Sequence, residues 1–215
     1  MTELALCHVF AFVSPGAPER AALEAAGLRE SFRRRHPGQG TTNVCYCLDN
    51  AYIELLWVED AGELASPPIA RTRLAERSRW RETGTSPFGI GLRRTGEGLP
   101  FPTWDFTPPY LPPGMAIPVS LGSEDPAQPF IFVSPGATRP DAWTDGRAGE
   151  RQTATGLTDI VSVELDVSGE PGADLRALEA AGVVRLVPGA VPSMVLTLSG
   201  PAGTRRLELP GCGWV

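Results

Sequence analysis

The sequence contains no lysine: all 19 of its basic residues are arginine. That absence removes Schiff-base chemistry, pyridoxal phosphate enzymes and the phosphate-binding lysine of Walker-type loops. Histidine is nearly as scarce, and any serine or cysteine triad would have to use His8 or His36. No Gly-x-Ser-x-Gly nucleophile elbow is present, and no Gly-x-Gly-x-x-Gly run joins a strand to a helix. No nucleotide cofactor is therefore expected. The four cysteines, Cys7, Cys45, Cys47 and Cys212, never fall in a Cys-x-x-Cys pair. Cys45 and Cys47 lie two apart on a strand and read as buried thiols on one face. Apolar runs such as Ala51 to Val58 fall far short of the ~20 residues that span a bilayer. No basic segment followed by an apolar one opens the chain, so a cytoplasmic location is expected, with no membrane partner and no disulfides. A net charge of −6 argues against a nucleic-acid partner.

What is present is ordinary for a folded protein: 42% hydrophobic and 20% charged residues in a chain of 215. The 22 prolines and 24 glycines, with arginine as the sole strong base, suggest a GC-rich bacterial genome. One basic cluster, Arg33-Arg34-Arg35-His36, reads either as a solvated strand end or as an anion site.

The pattern predicts an α+β fold. Leu4 to Val13 reads as a strand, Ala17 to Ala26 as a helix stopped by Gly27, and Leu28 to Arg35 as a second strand. Thr41 to Leu48 and Ala51 to Val58 follow as strands across the turn Asp49-Asn50, giving β-α-β-β-β over residues 4–58. A helix is expected over 67–82, with Ser66 as N-cap, Pro67 in its first turn and Ile69, Leu74, Arg77 and Trp80 inward. Residues 87–134 read as a strand-rich middle unit, with strands at Phe88 to Arg93, Met115 to Leu121 and Pro129 to Val133. Residues 136–156 read as a patternless linker.

Residues 157–215 repeat the opening order. Ala22-Leu23-Glu24-Ala25-Ala26-Gly27 recurs as Ala177-Leu178-Glu179-Ala180-Ala181-Gly182, and Val13-Ser14 as Val167-Ser168. Ile53-Glu54-Leu55 is echoed by Leu207-Glu208-Leu209. The same element order at a nearly constant offset predicts a further βαβββ unit packed with the first part.

His8 in the opening strand, the block His36-Pro37-Gly38-Gln39-Gly40-Thr41-Thr42-Asn43 and the run Asp49 to Leu56 resemble a glyoxalase-like domain of the vicinal oxygen chelate superfamily. The resemblance is carried by residues 4–58 and extends to about 135. It implies repeated βαβββ units whose curved mixed sheets surround a central cleft, and a homodimer as a family-level expectation. It also implies a divalent metal (zinc, iron, manganese or nickel) held by strand residues, acting as Lewis acid on a small molecule with adjacent oxygens. Lyase, isomerase, dioxygenase and thiol-transfer reactions all fit, as does a protein that only binds or sequesters a small molecule.

Strand alternation adds an independent reading. Leu6, His8, Phe10 and Phe12 share one face, as do Tyr52, Glu54, Leu56 and Val58; the opposite faces are wholly apolar and should pack beneath the helix. A carboxylate inside an apolar strand needs a partner, and His8 is the candidate for Glu54. Expected catalytic residues are Glu54, His8 and His36. Expected ligand contacts are Phe10, Phe12, Thr41, Asn43, Tyr52 and Trp104, the last in a wall or lid with Tyr110. An expected metal set is His8, Glu54 and Glu208, although the middle strands carry no His, Asp or Glu. Cys7 should point away from His8 on a regular strand.

Overall fold

The computed structural model describes residues 4–136, 138–167 and 169–215. Ser168 of the Val167-Ser168 echo and Ala137 of the expected linker lie outside the described residues.

The opening unit consists of β1 (Leu4–Phe12), α1 (Arg20–Ala25), β2 (Phe32–His36), β3 (Thr41–Cys47) and β4 (Tyr52–Val58). β1 runs parallel to β4, with His8 beside Tyr52 and Phe10 beside Glu54. β3 lies antiparallel between β4 and β2. Gly38 and Gly40, at φ 78° and 77°, make the left-handed turn that returns β2 into β3. A Cβ on Gly40 would stand 2.1 Å from the Asp60 carbonyl oxygen, so no larger residue fits there.

The helix expected over 67–82 is instead part of four short helical turns: α2 (Ala61–Leu64), α3 (Pro67–Ala70), α4 (Leu74–Ser78) and α5 (Trp80–Thr83). Arg73 breaks the run with a left-handed φ of 55°. The expected inward residues Ile69, Leu74 and Arg77 are buried nonetheless. Arg77 donates to the carbonyl oxygens of Ser86, Ser123, Asp125, Pro126 and Gln128, stitching α4 to the turn before the next strands.

Those strands are β5 (Phe88–Arg94), β6 (Thr103–Phe106), β7 (Ile117–Ser120) and β8 (Phe130–Val133). β6 occupies part of the stretch expected as wall or lid. The unit repeats the pairing of the first: β5 parallel to β8, β8 antiparallel to β7, β7 antiparallel to β6. β1 and β5 pair antiparallel at the seam, which gives one eight-stranded sheet ordered β2-β3-β4-β1-β5-β8-β7-β6.

The terminal segment contains β9 (Asp159–Val167), α6 (Ala173–Ala180), β10 (Arg185–Pro188), β11 (Ser193–Gly200), β12 (Gly203–Leu209) and β13 (Gly213–Trp214). Element order repeats as expected, but strand pairing does not. β9 sits between β10 and β11 in a separate sheet ordered β10-β9-β11-β12-β13, parallel to β10. In the first unit the equivalent partner of the opening strand is its fourth strand, not its second. Shared composition makes α1 and α6 both helical, but the face each strand must bury decides which strands meet. The true structural repeat is the middle unit, which the letters do not reveal.

Val9, Ala11 and Ile53 from the back of the large sheet share one core with Leu165, Leu196 and Leu207 of the small sheet and Leu175 and Leu178 of α6. Burial of each of the larger side chains, valine, leucine or isoleucine, contributes roughly 1.5–3 kcal/mol. Asn50 fixes the junction by accepting from the Ile160 N–H at 3.0 Å and donating to its carbonyl at 2.9 Å. The segment expected as a linker is docked rather than free. Gln152 bridges both backbone groups of Arg29, and Arg151 pairs with Asp49 at 2.7 Å.

Candidate active-site cleft

The other face of the large sheet surrounds a cavity of about 200 Å³. Its walls include Phe32, Arg34 and His36 from β2 at one edge and Phe106 from β6 at the other. Eight strands laid flat would separate those edges by ~34 Å. Side chains from both edges therefore meet in one small cavity only because the sheet curves around it.

His8, Phe10, His36, Asn43, Tyr52 and Glu54 all line this cavity. The approach of β1 to β5 depends on two glycines. A Cβ on Gly91 would stand 2.4 Å from the His8 ring, and one on Gly89 only 2.0 Å from the Phe10 ring. The imidazole stacks on Tyr52, with ring centroids 4.3 Å apart, and meets the edge of Phe132 at 5.1 Å. Its Nε2 lies 3.6 Å from Glu54 Oε2, near but beyond a good hydrogen bond. Asn43 Nδ2 donates to the other oxygen, Glu54 Oε1, at 2.6 Å and fixes the carboxyl plane.

Burial controls the protonation of Glu54, His8 and the nearby His36. Loss of solvent pushes the Glu54 carboxyl up to about 7, opposed by the Asn43 hydrogen bond and by the charge of Arg34. It pushes His8 down to about 3, helped by His36, and His36 down to about 4, helped by Arg34. The 3.6 Å contact thus joins a neutral imidazole to a carboxyl that burial has lifted toward the neutral range, rather than two formal charges. Glu54 is the single carboxylate on the cavity wall among the described residues.

His36 is no exposed turn residue. It is buried, its Nδ1 is paired with Thr41 Oγ1 at 2.9 Å, and its ring packs on Tyr110. Thr41 itself does not line the cavity; its hydroxyl is held by His36 and by Gln39 Nε2. Phe12 is buried behind the wall among aromatic rings, and Trp104 packs under the Arg71 guanidinium away from the cleft. Trp104 shares a face of β6 with Phe106, but its indole packs against the Phe106 ring at 5.9 Å and beneath Arg71, and Phe106 rather than Trp104 reaches the cavity.

Cys7 lines the cavity beside His8, against the expectation from regular alternation. The ladder between β1 and β5 slips between Leu6 and His8, and this irregularity turns two consecutive side chains to one side. Burial raises the Cys7 thiol above its ordinary range, so it is a poor nucleophile there. All four cysteines are free and buried.

Sequence reasoning passed over Trp143 and Arg147, which reach the cavity from the expected linker. Trp143 packs on Phe32 and Tyr52. Two aromatic or cationic residues in a Gly- and Asp-rich stretch carry no periodic signal.

The donor set does not fit a resident metal. Glu208 lies on β12 of the small sheet, beside Trp80, Arg81 and Asp166 in a separate surface hollow, so it cannot join His8 and Glu54. On the strands matching β1 and β4, the second unit presents Gly89, Gly91, Phe130 and Phe132 to the cleft. No cluster of three or more His, Cys, Asp or Glu side chains suited to a metal occurs among the described residues. One imidazole and one carboxylate are too few for a tight site.

Residues 6–95 match the family described as a glyoxalase-like domain. Among solved structures, a hypothetical protein from Staphylococcus aureus aligns with TM-score 0.50 and 13% identity, over 95% of this chain and 86% of that one. A mutant 4-hydroxymandelate synthase from Streptomyces coelicolor aligns at TM-score 0.44 and 14% identity, over 97% of this chain and 63% of that one. The curated proteins contain no match. Among the described residues no helix is long and apolar enough to cross a membrane.

Proposed function

We propose that this chain, which carries a glyoxalase-like domain over residues 6–95, is a small-molecule enzyme of lyase or isomerase type. In this reading the cleft admits a molecule with a carbonyl or adjacent oxygens, and Glu54 moves a proton to and from the carbon beside it. The observation that carries the proposal is Glu54 itself: the one carboxylate on the cavity wall among the described residues, oriented by Asn43 and held at about 7. A carboxyl near the working pH accepts and returns a proton with little penalty in either direction. His8 and Asn43 position it, and the rings of Phe10, Phe130 and Phe132 exclude water. No step is assigned to a metal, since the residues present do not fit one.

A second reading, binding without turnover, is favoured by the apolar half of the wall, which offers shape and no chemistry. Deuterium exchange separates the two. Phenylacetone and 2-oxo-4-phenylbutanoate, incubated with the protein in deuterium oxide, are followed by proton NMR for loss of the signal beside the carbonyl. Washout with the parent that falls at least a hundredfold in Glu54→Gln supports proton transfer. Ligand line broadening with equal washout in both proteins supports the binder and overturns the enzyme.

A further inference from the structure

Three consecutive arginines on β2 have different surroundings. Arg33 stacks over Trp57 and pairs with Glu30 at 2.9 Å on the outer face. Arg35 lies 3.8 Å from Glu63 on that same face. Arg34, between them, points the other way, as strand alternation requires. Its guanidinium lies 5.8 Å from the Tyr110 ring centroid and lines the cavity. Among the described residues no carboxylate comes within ion-pair distance of it, although its charge is felt by His36, Glu54 and Tyr110.

The rest of the wall makes that charge unusual. His8 and His36 are neutral, and Arg147, the other cation, is 3.3 Å from Asp145. Phe10, Phe130 and Phe132 form a continuous aromatic patch, with centroids 5.5–6.2 Å apart. The cavity therefore has an apolar aromatic side, one proton-exchanging acid, and one unneutralised planar cation at the β2 edge.

We infer that the cleft takes a small aromatic carboxylate, its ring against Phe10, Phe130 and Phe132 and its carboxylate on the Arg34 guanidinium. The inference rests on the reading of the cleft as a small-molecule site and adds the charge and orientation of the ligand. Guanidinium geometry matches a carboxylate with two parallel N–H···O bonds, which a neutral amide cannot accept in the same way. Bound there, the anion cancels the charge that opposes protonation of Glu54, so ligand binding should favour the protonated acid.

Phenylacetate and phenylacetamide differ in charge and little in shape, and calorimetry on the intact chain measures both at pH 8. Phenylacetate should bind at least tenfold more tightly than phenylacetamide to the parent. In Arg34→Gln that preference should vanish while the amide affinity stays within twofold. Arg34→Lys should keep part of the preference, and Arg35→Gln, which removes the same charge from the outer face, should keep all of it. Amide binding without an acid preference, or a preference that survives Arg34→Gln, overturns this inference and leaves the cleft reading standing. Failure of both compounds at millimolar concentration overturns the cleft reading and this inference with it.

Discussion

The two halves of the large sheet share one pairing scheme and divide the work of the cleft between them. The first half contributes His8, Arg34, His36, Asn43 and Glu54; the second contributes Phe106, Ile117, Phe130 and Phe132. At the seam the second half gives up side chains altogether, because Gly89 and Gly91 stand where His8 and Phe10 need room. A pseudo-symmetric fold thus builds an asymmetric site by placing both imidazoles and the carboxylate on one copy, while the other adds mainly apolar side chains to the rings the first already supplies. The polar copy carries an electrostatic cost, visible in the displaced protonation of His8 and Glu54. The apolar copy is held in place from behind by Arg77 and its five carbonyl partners.

The largest effect expected from breaking this arrangement is on the apolar half. Arg77→Ala leaves buried carbonyls unsatisfied and a void beneath Phe130, and should cost about 4 kcal/mol by urea denaturation. Arg34→Ala, on the cavity rim, should change stability by less than about 0.5 kcal/mol.

The polar half should reveal itself through pH. Folding raises the Glu54 pKa from 4.5 to about 7, so the folded state holds a proton that the unfolded chain releases. Its contribution is fully present below pH 4.5 and is lost as pH rises toward 7. Glu54→Gln, measured against the parent, should therefore gain about 3 kcal/mol of relative stability across that window. His8 has the opposite sign. Its folded value near 3 lies below the ordinary 6.5, so its contribution is present above pH 6.5 and lost as pH falls toward 3. His8→Asn should gain on the parent as the solution is acidified, and parallel slopes for the two variants would contradict the assignment.

A smaller effect tests the seam. Gly91→Ala places a methyl group against the His8 ring and should cost about 1–3 kcal/mol. It should also move the infrared band of the protonated Glu54 carboxyl, whereas Gly91→Ala made together with His8→Ala should recover most of the stability.

The subtlest prediction erases the division itself. Phe132 lies 5.1 Å from His8, centroid to centroid. Phe132→His supplies a third donor to His8 and Glu54, and should raise zinc retention on dialysis from substoichiometric to near one per chain.

Much of the first half was legible because its signals are local. Alternation put His8, Tyr52 and Glu54 on one face, and the Asp49-Asn50 turn joined the two strands that carry Asn43 and Glu54. Alternation failed at Cys7, where an irregular ladder cannot be read from one strand alone. The second half was legible as strands but not as a partner, because its place at the seam depends on β1 meeting β5 across some eighty residues of chain. The letter repeat pointed instead to the terminal segment, where shared helix composition accompanies a different sheet order. Glu208 was misplaced for that reason. Trp143 and Arg147 reach the cleft through tertiary docking of a stretch with no period of its own.

The two glycines of β5 have a consequence for recombination. Because the bulk of one copy protrudes into notches cut in the other, the copies are keyed to each other like a tenon and its mortise. Exchanging either copy for that of a distant homologue should fail wherever the incoming β5 brings a side chain to the notch. Chimeras that carry both notches along with the new half should fold.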